Sequence, residues 1–517
     1  MICQFVNQRP QIGGLGGFLD IVPSVVYLKS MAPDSGLDLL LVNPGNRRRV
    51  YQSLGTDLAA IEPPLWCGMI ATVVRNCGFR VRILDAEAEE LSPRQVAEQI
   101  ASLNPGLTTV VVYGHQPSAS TQNMTASGQI CSAIKEIDKD RQVLLLGGHV
   151  SALPERTLRE ESADFVREGE GPATVIGLLE GRAPHDRIPG LWYRSHGQIQ
   201  HTPTATLLQN LDRDLPQVAW DLLPMDKYRA HNWHCFGSVF RRQPYASVYT
   251  SLGCPYKCSF CCINAPFGRS TIRYHSPDQV IGEIDILVKQ YGVRNLKIAD
   301  EMFVLDLDHV TGICDRIIER GYDLNIWAYA RVDTVKDRIL EKLKLAGFRW
   351  LALGIESGSQ YVRDGASKKF GQADIVHTVR AIQSAGISVI GNFIFGLPDD
   401  TLETLQQTLD MAVELNCEFA NFYSAMAYPG SPLYSMALKE DWPLPDDWDG
   451  FSQHSVKTLP LPTKHLPASE VLRFRDRAFQ DYFRNPRYLS SILKKFGDET
   501  AEHVKLMASH SLERAYA

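Results

Sequence analysis

The stretch "SLGCPYKCSFCCINA", Ser251 to Ala265, sets four of the chain's 11 cysteines, Cys254, Cys258, Cys261 and Cys262, within nine positions. It continues the apolar segment "YASVYT", so the cysteines belong to the loop after a strand. The other cysteines (Cys3, Cys67, Cys77, Cys131, Cys235, Cys314, Cys417) stand singly. They lack the paired spacing of a secreted disulfide framework, which points to a reducing cytoplasm. In that setting, clustered cysteines mean metal or redox chemistry.

Further apolar runs follow: "VRNLKIADE", "LNIWAYARVD", "FRWLALGIESGS", "ISVIGNFIFGLPDDT" and "FANFYSAMAYPG". Helical patterns such as "SPDQVIGEIDILVKQYG" and "DRILEKLKLAG" separate them. Six strands with crossover helices predict a partial (β/α) barrel over residues 244–434, with its site at the C-terminal strand ends. Upstream, "LDLLLVNP" (Leu37 to Pro44) reads as a buried parallel strand. "WCGMIATVVRNCG" reads as a helix with glycine just past its end. The alternation runs on through "FRVRILDA", "LTTVVVYG", "RQVLLLGG" and "ADFVREGEG". It predicts an α/β, doubly wound (Rossmann-like) parallel sheet over 37–185, with ligands in the loops after the strand ends. Three such loops, "YGHQPSASTQNMT", "LGGHVSALPE" and "REGEGPAT", offer amides and hydroxyls to a bulky polar ligand, although their glycines also serve as ordinary turns. Residues 1–36 read as an extended lead-in and 186–243 as a Pro-containing linker. Residues 435–517 read as a small, mostly helical C-terminal cap.

At 517 residues the chain is long enough for two or three domains. Its 44% hydrophobic and 22% charged content is that of an ordinary soluble globular protein. A net charge of -6 gives no nucleic-acid footprint, and Arg47-Arg48-Arg49 is too short a basic run to make one. No apolar run is long enough for a membrane span, and the N-terminus lacks a signal core.

Cys254, Cys258 and Cys261 form C-x3-C-x2-C, with Phe260 before the last cysteine. Three thiolates on one tight loop can hold three irons of a [4Fe-4S] cluster and leave the fourth open. Zinc competes, but a structural zinc site wants four closed ligands. Cys262 is a poor fourth, because adjacent residues rarely direct both side chains at one ion. A loop of buried, inert cysteines is the bland alternative.

"GCPYKCSFC" resembles the signature of the radical S-adenosylmethionine (SAM) superfamily, whose fold is a partial barrel. The preceding sheet resembles the cobalamin-binding domain attached to one large branch of it. The landmarks "LLVNP", "EPPLWCGMIATVVRNCGFRVRILDA", "LGGHVSALPE", "FVREGEG", "IADEMF", "YARVD", "LGIESGS", "GNFIFGLPDDT" and "YPGSPLY" run in the expected order from about residue 37 to 435. That branch includes methyltransferases acting on unactivated carbon and the anaerobic cyclase of the magnesium-porphyrin pathway.

The resemblance implies roles. Cys254, Cys258 and Cys261 would ligate the cluster, and SAM would bind the open iron through its amino and carboxylate groups. Asp300 and Glu301 would approach the SAM amino group, and Arg331 its carboxylate, to which a planar guanidinium fork is suited. Glu356 and Ser357 would hold ribose hydroxyls, although Glu356 or Arg331 could instead close an ion pair at the barrel rim. For cobalamin, the lower base would be displaced and buried near Ser118, Ser120 and Thr121. Gly147 and Gly148 would let the backbone approach the corrin, and Gly169 and Glu170 belong to the third loop. The Asp-x-His-x-x-Gly motif of cobalamin mutases is missing, so His115 and His149 are expected as loop hydrogen-bonders. The loop from Arg47 to Gln52, after the first sheet strand, would then lie beneath the corrin, with Tyr51 nearby.

The expected function is C-methylation through a 5'-deoxyadenosyl radical and methylcobalamin, with SAM used twice and substrate held between barrel mouth and corrin. The alternatives are a cyclase-type or other oxidative radical conversion without net methyl transfer, and a cobalamin-binding regulator. The expected partners are a small-molecule substrate of unspecified class and an external electron donor of flavodoxin or ferredoxin type.

Overall fold

The computed structural model describes residues 36–45, 47–114 and 116–517, so nearly all of the lead-in and His115 lie outside the described residues. Two large sheets, one mixed and one all parallel, organise the molecule. The first comprises β1 (Leu39–Asn43), β2 (Val81–Asp85), β3 (Leu107–Val112), β4 (Val143–Gly147), β5 (Phe165–Arg167), β6 (Leu191–Ser195) and β7 (Gln198–His201), in the order β2-β1-β3-β4-β5-β6-β7. β3 and β4 are buried along their whole length, and β1 to its last residue, which is why they read as unbroken apolar runs. The chain reverses direction across the sheet between β1 and β3, and the crevice at such a switch point is where ligands of these folds lie. β4 runs so close to β3 that a Cβ on Gly147 would sit 2.0 Å from the Val112 carbonyl oxygen.

The sheet does not stop at residue 185. β6 and β7, inside the stretch expected as linker, extend it as an antiparallel hairpin. The hairpin turns at His196 and Gly197, both at positive φ (+51° and +76°), as a two-residue turn matched to strand twist requires.

The second sheet comprises β8 (Tyr245–Val248), β11 (Asn295–Ile298), β12 (Asn325–Arg331), β13 (Phe348–Glu356), β14 (Ser388–Phe395) and β15 (Phe419–Ser424), all parallel and side by side in that order. This is the expected six-stranded partial barrel. The segment expected as its first strand divides, however. After β8 the chain leaves the sheet as an antiparallel pair, β9 (Ser251–Cys254) and β10 (Thr271–Tyr274), and the cysteine loop joins the two. The cause is Asp300, past the end of β11. Its carboxylate accepts hydrogen bonds from the Thr250 amide (2.6 Å), the Thr250 hydroxyl (2.5 Å) and the Ser251 hydroxyl (2.6 Å), and so pins the turn between β8 and β9.

Three sets of polar contacts join the parts. Glu62, from the N-terminal domain, accepts from Tyr245 (2.7 Å) and pairs with Lys297 (3.3 Å), a β11 side chain only 1% exposed. Glu170, after β5, forms a two-pronged ion pair with Arg273 on β10, with both side chains almost fully buried. In the C-terminal region, Ser452 donates to the Val50 carbonyl (3.0 Å), and Asp449 pairs with Arg49. The same region lies along β15. Tyr482 donates to the Cys417 carbonyl (2.6 Å), Tyr488 to Glu418 (3.0 Å) and Arg475 to Phe422 (2.8 Å). No helix among the described residues is long and apolar enough to cross a membrane.

Removing one member of a buried ion pair leaves the other uncompensated. Glu170→Ala is therefore expected to destabilise the chain by about 3 kcal/mol in a denaturant titration. Glu170→Ala/Arg273→Ala should cost less than the two single changes added together.

Candidate functional site

The two sheets meet mouth to mouth. Asn43, Tyr113 and Gly114, at or just past the ends of β1 and β3, share one cleft of about 950 Å³ with Ser247, Tyr249 and Ala299 at the ends of β8 and β11. Trp66 stacks on Tyr113 (4.4 Å between centroids, 11°) and meets Tyr249 edge-on (6.4 Å), forming an aromatic seam between the domains. The cleft leads into a hollow of about 510 Å³ where Gly114 and Gly148 stand across from Gly253, Cys262 and Glu301. It also leads into a cavity of about 1090 Å³ inside the barrel.

Cys254 ends β9, while Cys258 and Cys261 follow on a turn closed by the Cys261 amide donating to the Cys258 carbonyl (3.1 Å). Burial raises the pKa of all three thiols, that of Cys254 to about 11. The surroundings oppose it: backbone amides of Tyr256 and Ile263 donate to Cys254 and Cys261. Lys368 and Arg331 bear on Cys258, the Arg331 guanidinium at 3.7 Å from its Sγ. Every described cysteine is free of a disulfide. Free thiols on one turn, met by amide donors and two cations, fit a thiolate-held cluster. Cys262 instead lines the 510 Å³ hollow, buried, with its thiol pushed up to about 12.

The other expected residues divide. Arg331 does end β12, where its guanidinium lies 4.0 Å over the Tyr256 ring and pairs with Asp333 (2.8 Å). Glu356 ends β13 in the left-handed region (φ +70°), beside a register shift against β14. It closes an ion pair at the barrel rim with buried Lys368 (2.7 Å). Gly354 makes room for that pair: a Cβ there would lie 2.6 Å from the Glu356 carboxylate and 2.8 Å from Lys368 Nζ. Ser357 is buried on Thr408 (3.1 Å). Asp300 is engaged by Thr250 and Ser251, and burial lifts its carboxyl to about 6. Glu301, by contrast, faces the hollow, and burial lifts it to about 7.

On the N-terminal side, Gly148 lines the hollow, and a Cβ added there would meet only Ser120 (3.5 Å), so open space lies beyond it. Gly147 serves β3–β4 packing, as described. Ser120 donates to the Val112 carbonyl and accepts from the His149 amide (2.9 Å), while Thr121 meets His149 Nδ1 (3.2 Å). His149 packs edge-on against Trp448 (4.3 Å), and burial pushes it down to about 3, so it is a neutral loop hydrogen-bonder. Ser118 bonds the Tyr428 hydroxyl. The Gly169 carbonyl accepts from Ser151 (3.2 Å), and Glu170 is held by Arg273. Arg47–Tyr51 is a short helix, not a loop, and Tyr51 stacks on His454 (5.1 Å) at the cleft wall. Lys368, Lys297 and Glu62 join the site without a sequence signal, because their partners lie far away in the chain or on loops without a motif, while Tyr256 sits inside the cysteine motif and takes its role from Arg331 stacked over it.

A family model for the radical SAM superfamily matches residues 248–412, and one for the B12 binding domain matches 51–179. A protein of Pyrococcus horikoshii described as an uncharacterized methyltransferase is 30% identical over 458 residues, covering 88% of this chain and 94% of the relative. The anaerobic magnesium-protoporphyrin IX monomethyl ester cyclase of Rubrivivax gelatinosus is 28% identical, covering 74% of this chain and 68% of the cyclase. Among solved structures, the radical SAM methyltransferase TsrM from Kitasatospora setae, with cobalamin and a [4Fe-4S] cluster bound, superposes with a TM-score of 0.66. Its identity is 17%, with 92% of this chain and all of that chain covered, so the likeness is one of fold. The chain belongs to the radical SAM superfamily, in the branch with an N-terminal B12-binding domain. It is a radical SAM enzyme whose cofactors are a [4Fe-4S] cluster, SAM and cobalamin.

Because folding raises Glu301 from its ordinary value of 4.5 to about 7, the folded chain holds a proton there that the unfolded chain has lost. The stability this gives is full below about pH 4.5 and lost as pH rises through about 7. Glu301→Gln should therefore gain stability relative to the unsubstituted chain as pH rises from 4.5 to 7, and hold a constant difference above it, in parallel thermal melts.

Proposed function

We propose that this member of the cobalamin-binding radical SAM branch is a C-methyltransferase that places a methyl group on an unactivated carbon of a small molecule. The observation that carries the reading is the shared hollow, in which Gly148, beside the N-terminal sheet, stands across from Glu301 and Cys262 of the barrel. When bound, the cluster supplies the electron that cleaves SAM to a carbon radical, and cobalamin supplies the methyl group. The protein's part is to hold the two within one enclosed space, so that a substrate carbon meets both without crossing solvent.

In this reading Cys254, Cys258 and Cys261 hold the cluster, and Lys368 and Arg331 offset its negative charge. Arg331 keeps donors beside the cysteine turn for the SAM carboxylate, and Glu301 takes the amino group once ionised. Ser357 and Glu356 form the rim of the SAM site, their conformations fixed by Thr408 and Lys368. The open space at Gly148 admits the corrin edge, and Tyr51, held flat by His454, closes the cleft on the far side. A flavodoxin- or ferredoxin-type protein delivers the electron. The cyclase-type reading draws support from the 28% identical relative, and product mass separates the two.

Methyl-labelled SAM is the test. Label should pass to cobalamin and then to product, with 5'-deoxyadenosine and S-adenosylhomocysteine formed in about equal amounts. Deoxyadenosine without S-adenosylhomocysteine over many turnovers would instead favour the cyclase-type reading. Gly148→Leu should spare deoxyadenosine formation and stop methyl transfer, because the side chain fits the fold but fills the hollow. Cys258→Ala should abolish SAM cleavage, and Cys262→Ala should leave it largely intact, both read as deoxyadenosine by chromatography.

A further inference from the structure

Two arginines of the C-terminal region share one carboxylate beside the barrel cavity. Arg514, past the last helix (Asp498–Ser509), holds Asp476 from Nε and Nη2, at 2.9 Å each. Its Nη1 donates to the Thr458 hydroxyl (2.8 Å) and the Ser455 carbonyl (3.1 Å), and Nη2 also donates to the Gln453 carbonyl (3.1 Å). Every N–H of that guanidinium is thereby used. Arg475, on the helix Ala468–Phe483, reaches the same carboxylate once, from Nη1 (2.7 Å). Its Nε donates to the Phe422 carbonyl (2.8 Å), and its Nη2 lies 3.5 Å from His454 Nε2. Each terminal nitrogen of Arg475 therefore keeps one N–H without an acceptor among the described residues. Arg475 is buried, and it lines the cavity.

Nothing else on the cavity wall answers this charge. Among the described residues, neither Asp nor Glu lines it, and Lys297 is matched by Glu62 (3.3 Å). His231 takes the Ala60 amide on Nδ1 (3.3 Å), which requires that nitrogen to be unprotonated. Burial, with Arg475 and Arg514 nearby, holds His454 well below its ordinary pKa and therefore neutral. Burial raises the phenols of Tyr51, Tyr329 and Tyr423, which are neutral too. Two cations over one carboxylate leave one positive charge, and it falls to Arg475 because Arg514 grips the carboxylate from two nitrogens. Burial lowers the pKa of Arg475, Asp476 opposes the shift and Arg514 adds to it, as befits a cation short of counter-charge.

A buried guanidinium with spare donors gains from a further anionic acceptor, and its planar fork suits a carboxylate. A single unmatched charge suits a monoanion better than a dianion. The rest of the wall includes Trp233, Trp327 and Phe419, which favour an apolar body. Tyr51, His231 and Lys297 line both this cavity and the cleft between the domains, so the two spaces communicate. We infer that the substrate carries a carboxylate that docks on Arg475, with an apolar body running along the aromatic wall towards the cleft. Arg475 selects the substrate, and Arg514 is a positioning residue that draws the counter-charge away from it. The inference rests on the methyltransferase reading only in calling the ligand a substrate.

Calorimetric titration of the anaerobic holoenzyme tests it, with SAM present and no reductant so that the SAM site stays filled. The probes are phenylacetate, its neutral counterpart phenylacetamide, and benzylphosphonate. Phenylacetate should bind roughly tenfold more tightly than phenylacetamide, and more tightly than benzylphosphonate. Arg475→Gln should remove the preference for phenylacetate over phenylacetamide. Arg514→Gln leaves Asp476 to Arg475 alone and should cut that preference roughly threefold, whereas Arg514→Lys should keep it. Cobalamin absorbance confirms that each variant is folded and loaded, and if Arg475→Gln is not, the Arg514 pair decides. No binding of phenylacetate, phenylacetamide or benzylphosphonate binding as tightly as phenylacetate, or an unchanged preference in Arg475→Gln or Arg514→Gln would each overturn the inference. A chain that shows the expected preferences but passes no label from SAM would refute the methyltransferase reading and leave the carboxylate site standing.

Discussion

One buried carboxylate decides where the reactive loop stands. Asp300 sits at the end of β11 and reaches across to the turn after β8, taking three hydrogen bonds from Thr250 and Ser251. That grip helps turn the apolar run Tyr245 to Cys254 out of the barrel, where it would otherwise read as one long strand. With it, the chain leaves the barrel at Tyr249, and β9 carries the cysteines over the mouth instead of past it. His309 adds a fourth contact, to the Thr250 hydroxyl (3.0 Å), from the helix that follows. The cleft walls, the aromatic seam and the Glu170–Arg273 pair all presuppose the hairpin that this turn begins.

The second requirement is electrical. Three thiolates in a half-buried loop would repel one another and lose solvation, and burial does raise all three thiols. The barrel answers with two cations, and each is itself balanced: Lys368 by Glu356 and Arg331 by Asp333. Glu356 must adopt a backbone conformation costly for a residue with a side chain, at φ +70°. That strain is intelligible as the means of aiming the carboxylate back at Lys368. Gly354 is the matching vacancy, earlier on the same strand.

Much of this was legible in the sequence wherever the cause was local. Runs such as "LLLVN" and "VLLLG" are buried on both faces, so they carry an unbroken apolar pattern that only a covered parallel strand explains. The cysteine spacing and the polar residues ending β12 and β13 were readable for the same reason. The break after β8 was not, because its cause lies 50 positions downstream. Glu170 looked like part of a ligand loop because its partner Arg273 is 103 positions away. Gly147 and Gly148 looked alike in sequence and serve different ends, one packing against a carbonyl and one bordering open space. The β6–β7 hairpin, half exposed and short, carries too little apolar signal to separate from a linker.

The barrel is unclosed, and β15 is one of its two edges. Such an edge offers a row of carbonyls and amides to any strand that drifts alongside. Here the C-terminal region occupies that row with side chains rather than with another strand: the Tyr482 and Tyr488 hydroxyls and the Arg475 guanidinium each take one carbonyl on or beside it. Residues 468–509 therefore act as a guard against self-association. A chain cut short before them would present an adhesive ribbon to its own copies, and its failure would be one of aggregation before it was one of chemistry.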